Sequence, residues 1–572
     1  MNENWLFQLL FAAPPGQRRT GSPGTKQQSR PRKAVGTPLT RILLSLLITA
    51  GVGAVIFYVT LPALNLQNEE FYFFVGMLSV VYILCTMLLS GHQVAQSGMR
   101  AYVDYVKKQC RLPGLILVAV LVVSVVGSAV SSVFFRAGAY SALLITQPGD
   151  FAAEVDEISY GQIPMLDRDS AERLGDRKLG ELSDMVSQFE VASNYTQINY
   201  QGRPVRVTPL VYGDIIKWLN NRAEGLPAYF VIDMVTQNVE VVRLEEGIRY
   251  TTAEHFGRNL YRHLRFQYPT YLFFEPVFEV DEEGTPYWVC PRQVRTIPPF
   301  GGRDVKGAVL VNAITGESEY LEEVPAWVDN LYSASLIVEQ YDYYGQYHNG
   351  FFNSILGQRD VTVTTEGYNY IAIDDDVYMY TGITSVGGDQ SNVGFILSNQ
   401  RTKQTSFYTV AGATEYSAMD SARGELQHLR YTATFPLLLN IGGQPTYFMA
   451  MKDAAQLVKQ YAMVNVQQYQ IVATGETVRE CEQNYLHMMG EHGLVSEPIE
   501  PEGQKVSGVV AEIRSAVMEG NTVYFIRLQG ETVFYTISAA QSPEAVILNV
   551  GQQVTLRFQP GDGPILSAYA LE

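Results

Sequence analysis

The sequence predicts a membrane-anchored protein: three N-terminal transmembrane helices, an extracytoplasmic α+β region of two repeated antiparallel-sheet-plus-helix modules, and a small C-terminal β-barrel. Three observations predict it. Three long apolar runs without a charged residue lie at 42–64, 71–90 and 112–135. The charge is split, with 12 Lys/Arg against 4 Asp/Glu in residues 1–136 and 29 against 54 in residues 137–572. A diverged set of matching segments also recurs in the same order about 165 residues apart. The boundaries expected from these patterns are a basic tail at 1–41, a transmembrane domain at 42–136 and a stalk or helical layer at 137–204. Modules follow at 205–326 and 391–495, joined by a connecting segment at 327–390, and the barrel occupies 505–572.

Each apolar run is close to the ~20 residues that a helix needs to cross a hydrocarbon core of about 30 Å. A helix satisfies its own backbone polar groups there. Lys/Arg asymmetry sets the expected orientation. Arg18, Arg19, Lys26, Arg30, Arg32, Lys33 and Arg41 precede the first run, and Arg100, Lys107, Lys108 and Arg111 lie between the second and third. The loop between the first two carries Glu69 and Glu70 and neither Lys nor Arg. The amino terminus is therefore expected in the cytoplasm and everything after Arg136 outside. The net charge of −17 over 572 residues then belongs to an acidic outer region. Nucleic acid is not an expected partner, because phosphate binding needs a positive field.

Arg18-Arg19 is read as part of the basic tail, since a Pro/Ser/Gln-rich stretch separates it from the first apolar run. The apolar stretch at 5–13, beginning at Trp5, is too short to span. Gly127, Ser128, Ala129, Ser131 and Ser132 form a small-residue patch in the third run. It suits packing among the spans or self-association of the chain. Cys290 and Cys481 fall in the outer region, where a disulfide is a possible pairing.

The first copy of the repeat opens with a strand from Phe230 to Asp233, a turn at Thr236-Gln237-Asn238 and a second strand. Its counterpart runs from Phe395 to Ser398 through Thr402-Lys403-Gln404. Fourteen residues after each turn threonine come Tyr250-Thr251 and Tyr416-Ser417. Thr251 with Glu254 has capping-box spacing, and Ser417 with Asp420 is its counterpart, so helices are expected to start there. Phe256, Leu260 and Leu264 make one apolar stripe, and Met419, Ala422, Leu426 and Leu429 the other. Both end in His-Leu-Arg, at 263–265 and 428–430, followed by Pro269 and Pro436. Gly284-Thr285-Pro286 and Gly443-Gln444-Pro445 then lead into apolar strands. One amphipathic helix covering a one-sided sheet satisfies both elements.

This order, with turns such as Thr315-Gly316, resembles PepSY-type domains of exported bacterial proteins over residues 205–325 and 390–480. Two such modules on a membrane anchor resemble an uncharacterised multi-pass envelope protein of Gram-positive bacteria. The resemblance implies a non-catalytic role, in protease regulation or envelope sensing.

A polar helical stretch is expected at 170–189, and a linker at 496–504 around Pro498 and Pro501. Short strands at 506–513, 522–528, 532–537, 546–549, 554–558 and 565–569 predict an OB-like or SH3-like barrel.

No His-Glu-x-x-His, Ser-x-x-Lys, Gly-x-Ser-x-Gly or phosphate-binding glycine loop is present, so no catalytic residues, metal site or cofactor are assigned. His255 and His263 share a helical spacing without a third ligand. Asp374, Asp375, Asp376 and Asp389 lack the alternation of a calcium loop and read as an acidic turn. The candidate binding residues are of two kinds. Arg265 and Arg430 offer guanidinium forks to a carboxylate beside His263 and His428, or else pair with acids of their own sheet. Tyr343, Tyr344 and Tyr347, between Tyr341 and Phe351-Phe352, offer rings to wall sugars or a protein, or else pack the two copies together. The expected function is a non-enzymatic envelope scaffold or regulator binding a protein or wall polymer. The alternative is an envelope hydrolase such as a membrane-bound peptidase.

Overall fold

The structure, a computed structural model, describes residues 37–571 except 91, 158–162, 374, 388–390, 496–503, 519–520, 540–541 and 559–562. The basic tail with its Trp5 stretch, most of the linker with Pro498 and Pro501, and Asp374 and Asp389 lie outside the described residues. The chain divides into two compact units. The first joins the residues up to Tyr140 with Ile248–Pro276 and Cys290–Glu323, and the second holds Ser141–Gly247, Val277–Val289 and the chain from Val324 onward.

Among the described residues of the first unit, three helices are long and apolar enough to cross a membrane: α1 (Pro38–Thr60), α2 (Glu69–Ser90) and α4 (Arg111–Val130). The first begins four residues before the expected run, because Thr37 accepts the Thr40 N–H as N-cap and Pro38 needs no partner at the first helical position. The segment between α2 and α4, expected as a loop, is helical over α3 (His92–Gln109) with a break at Gly98 (φ 82°), and is polar enough to lie outside the apolar pattern. The third run does not continue to 135. Ser131 and Ser132 each donate their hydroxyl to a carbonyl of the last turn, and the chain restarts as α5 (Val133–Tyr140).

The small residues bring elements close. A Cβ at Gly53 would lie 2.7 Å from Leu78 Cδ2, so α1 meets α2 there. A Cβ at Gly127 would lie 2.5 Å from Phe300 Cε2 and 2.9 Å from Pro299 Cγ. Gly127 and Ser131 thus turn inward within this chain, while Ser128 and Ala129 stay exposed. Gly127→Leu is expected to force the Phe300 ring out and destabilise by about 1–3 kcal/mol, seen as a lower thermal midpoint in detergent.

The chain then forms β1 (Thr146–Gly149), α6 (Phe151–Glu154) and α7 (Arg168–Gly180). A first sheet follows, of β2 (Phe189–Val191), β3 (Thr196–Tyr200), β4 (Arg203–Tyr212), β5 (Leu226–Asp233) and β6 (Val239–Ile248), with α8 (Ile215–Asn221) between β4 and β5. Its order is β2-β4-β5-β6, with β3 also on β4. After α9 (Leu260–Gln267) comes a second sheet of β7 (Leu272–Phe273), β8 (Val277–Val280), β9 (Pro286–Ile297), β10 (Gly301–Asn312) and β11 (Ser318–Leu321). Its order is β7-β9-β10-β11, with β8 also on β9.

The helix α10 (Ala334–Tyr347) opens the next stretch. It leads to β12 (Thr362–Thr364), β13 (Asn369–Ile373), β14 (Asp376–Ser385), β15 (Ser391–Asn399), β16 (Thr405–Tyr408) and β17 (Gly412–Ala413). Their sheet has the order β12-β14-β15-β16 with β13 on β14, the order of the first sheet; β17 also pairs with β15, and β1 adds parallel to β16. After α11 (Glu415–Glu425) come β18 (Thr432–Ala433), β19 (Leu437–Ile441), β20 (Gln444–Lys452), β21 (Val458–Asn465) and β22 (Val472–Gly475). Their order, β18-β20-β21-β22 with β19 on β20, is the order of the second sheet. The helix α12 (Val478–Glu491) packs Cys481, Tyr485 and Met489 into the same core as Ala418, Met449 and Met463.

Two expected boundaries therefore move. Residues 189–204 are strands of the first sheet rather than part of a stalk, and 327–390 supplies α10 and β12–β14 rather than a connector. Both helix starts move as well. Asn259, not Thr251, caps α9, and Thr251 instead bridges to Asn259. Thr414, not Ser417, caps α11 and accepts the Ser417 N–H.

At the C-terminal end, β23 (Gln504–Met518), β24 (Asn521–Leu528), β25 (Phe534–Ser538), β26 (Gln553–Phe558) and β27 (Ile565–Leu571) pair in the closed cycle β23-β24-β25-β27-β26. The β25–β27 pair is parallel. Alternate side chains such as Val510, Ile526, Leu528, Ile537 and Leu556 fill the interior. The strand expected at 546–549 is replaced by a 3-10 turn over Pro543–Ile547.

Candidate functional site

The first candidate is built around the end of α1. No basic residue lies in its last turn, and Leu61 closes it in the left-handed region at φ 49°. Its last carbonyls therefore need donors from elsewhere. Helix α9 supplies them from Arg262 and Arg265, three residues apart on one face. Arg265 Nε donates to Leu61 O at 2.9 Å, and its Nη1 donates to Tyr271 O at 2.7 Å. Arg262 Nη1 donates to Phe256 O at 2.7 Å, and its guanidinium lies 4.2 Å from the centre of the Tyr58 ring. Two cations at a helix C-terminus also oppose its dipole favourably. Burial lowers the Arg265 pKa, and the Glu70 carboxylate acts against that. A cavity of about 470 Å³ opens beside them, with Val59, Leu61, His255 and Phe273 among its walls.

His263, also on α9, faces the other way. Its Nε2 lies 2.8 Å from Gly316 O, and its ring centre is 4.7 Å from that of Tyr250. Burial lowers its pKa, with the Gly316 contact acting in the opposite sense. Gly316 has φ 79°, and a Cβ there would strike the Tyr250 ring at 2.3 Å. His263 therefore ties the helix to the Thr315-Gly316 turn.

The second His-Leu-Arg is built differently. His428 is exposed within a 3-10 turn, and Arg430 is its left-handed cap at φ 55°. Arg265 belongs to the first unit and Arg430 to the second. Arg265 bonds carbonyls, not acids of its own sheet.

The tyrosine run divides by helix face. Tyr341 is buried with Ala334, Ile337, Met379 and Ile396, and Tyr344 packs against that cluster. Tyr343, Tyr347 and Phe351, each four residues apart, form a stacked row with ring centres 6.2 Å apart at both steps. Phe352 follows at 67% exposed and Leu356 at 81%.

A buried acidic pair in the second unit was missed by sequence reasoning. Glu279 Oε1 accepts the Asn330 N–H at 2.9 Å and the Asn330 side-chain amide at 3.0 Å, and Oε2 accepts the Asp329 N–H at 3.0 Å. Asp329 Oδ2 accepts the Asn199 N–H at 2.6 Å, while its buried Oδ1 has no hydrogen-bond partner among the described residues. Burial raises both pKa values, and for Asp329 the Glu279 carboxylate raises it further. The readable signal was an acid in the middle of the apolar strand Val277–Val280.

Cys290 and Cys481 are both buried, and neither is in a disulfide. Asp376 is engaged by Arg401 and Asn399. Among the described residues no group of three His, Cys, Asp or Glu is placed to hold a metal, and His255 and His263 belong to none. No family model and no curated protein matches the sequence.

Proposed function

We propose that the protein is a non-enzymatic, membrane-anchored component of the cell envelope, a scaffold or regulator whose extracytoplasmic modules bind a protein or a wall polymer. The observation that carries this reading is the stacked row Tyr343–Tyr347–Phe351, continued by exposed Phe352 and Leu356. Large apolar surface left in water marks an interaction site more often than a stability feature. The three apolar helices support an integral membrane protein, and the Lys/Arg asymmetry supports modules outside the cytoplasm. The shared strand orders support a duplicated PepSY-like module, and the barrel's cyclic order with its parallel closing pair supports an OB-like module. Both fold types serve as binding modules, so the inference to function rests on the half-buried stacked row with exposed Phe352 and Leu356 beside it, and not on the fold. The enclosed pair Glu279 and Asp329 does not favour a hydrolase, since it is buried and backbone N–H groups hold both Glu279 oxygens and one Asp329 oxygen.

A photo-crosslinking residue at Phe352 of the full chain in living cells tests the reading. Discrete adducts are expected, and Tyr347→Ala with Phe351→Ala should lower their yield several-fold. Absence of adducts, together with turnover of peptide or glycan by the purified chain, would overturn it.

A further inference from the structure

We propose that the cavity at the end of α1 binds the phosphoryl headgroup of a membrane phospholipid. Depth and donor geometry point to that ligand together. The 23 residues of α1 rise about 34 Å at 1.5 Å each, close to the hydrocarbon thickness of a bilayer. Val59, Thr60 and Leu61, which line the cavity, therefore lie at headgroup level.

The cavity's cations are Arg262 and Arg265, and its acid is Glu254, which bonds the His255 N–H. Glu70 also acts on Arg265, so the two guanidinium charges are offset, and the donor geometry rather than a net charge selects the ligand. A guanidinium carries five N–H donors in a fork that matches phosphate oxygens. Arg265 spends Nε and Nη1 on carbonyls, and its Nη2 donates to none of the described residues. Arg262 holds Phe256 O firmly, but its Nε and Nη2 reach Tyr58 O only at 3.5 Å, the outer limit of a hydrogen bond. These donors can turn to a phosphate without loss of a strong bond. The exposed side chains of Val59 and Phe266, at 67% and 57%, give the acyl part of the ligand an apolar surface nearby. A small soluble anion would use the forks and leave that surface in water, so an amphiphile fits better.

Native mass spectrometry of the full chain in nonionic detergent, supplied with dioleoylphosphatidylglycerol, tests the assignment. About one lipid per chain should be retained. Arg262→Gln should lower retention about tenfold, the scale of a lost charge-assisted contact, and Arg262→Lys should recover part of it. Arg359→Gln, at an exposed site elsewhere, should leave retention unchanged. The wild-type chain alone also decides the matter, should the variants fold poorly. Equal retention of dioleoylglycerol, which lacks the phosphate, would sink the proposal. So would displacement by millimolar inorganic phosphate as effective as displacement by the lipid, which would assign the site to free phosphate.

Discussion

The thermal midpoint of the full chain in detergent should fall as pH rises from 5 to 9, and Asp329→Asn should flatten that fall. Burial lifts the Glu279 carboxyl above the usual carboxylate range, and burial with the Glu279 charge lifts Asp329 above it too. In the unfolded chain these groups titrate near pH 4.3 and 3.9. Across the window from there up to the raised folded values the folded state holds protons that the unfolded state releases. The pair's contribution is therefore complete below about pH 4 and is lost as pH climbs through the folded values. A tenfold difference in proton affinity between the two states is worth about 1.4 kcal/mol, so the loss across the window is on the order of a few kcal/mol. An amide at 329 removes the second charge, keeps an acceptor for the Asn199 N–H, and leaves Glu279 to titrate without a repelling neighbour. The variant should be the more stable protein at pH 9. Parallel pH profiles for variant and wild type would contradict this account of two buried carboxyls raising each other's proton affinity. Trp288 and Trp327 lie close to the pair in sequence and give a local fluorescence signal for the second unit.

Asp167→Ala should cost about 3–5 kcal/mol, the range for orphaning a buried charge. Lys452 is 4% exposed, and its ammonium lies 2.8 Å and 2.7 Å from the two Asp167 oxygens. Burial alone would raise the Asp167 pKa, but Lys452 and Ser170 outweigh it and hold the carboxyl below its usual range. The same carboxylate caps α7 through the Ser170 N–H at 3.1 Å, which adds about 1 kcal/mol. Asp167→Asn keeps the cap and should lose less. The double change Asp167→Asn with Lys452→Met removes the orphaned charge and should recover much of the stability in chemical denaturation. Equal losses for Asp167→Ala and the double variant would show that the unpaired Lys452 charge is not what the substitution costs.

The spans were legible because lipid tolerates no charge over about 20 residues, and that constraint marks the sequence strongly. The helix starts were less so. Thr251 and Ser417 satisfy a spacing rule, but Asn259 and Thr414 are equally good caps by type, and tertiary packing chose between them. The strands β13 and β14 were passed over for another reason. Val377, Met379, Tyr380, Thr381, Gly382 and Ile383 are all buried, so the strand lacks the alternation that marks a one-sided sheet. At the candidate site Arg265 was legible as a cation ending an amphipathic helix. Its partner Leu61 was not, because no local pattern links residues 204 apart. Glu279 broke an apolar run in plain view, and only the enclosing fold gives that break its meaning.

That separation of 204 residues has a consequence in time. The carbonyls at the end of α1 are completed by a helix synthesised long afterwards. At about 5–20 residues per second, the ribosome needs roughly 10–40 s to reach Arg265 after passing Leu61. During that interval the nascent first span must be held by lipid, water or an insertion factor, so this end of the anchor is finished late in biogenesis.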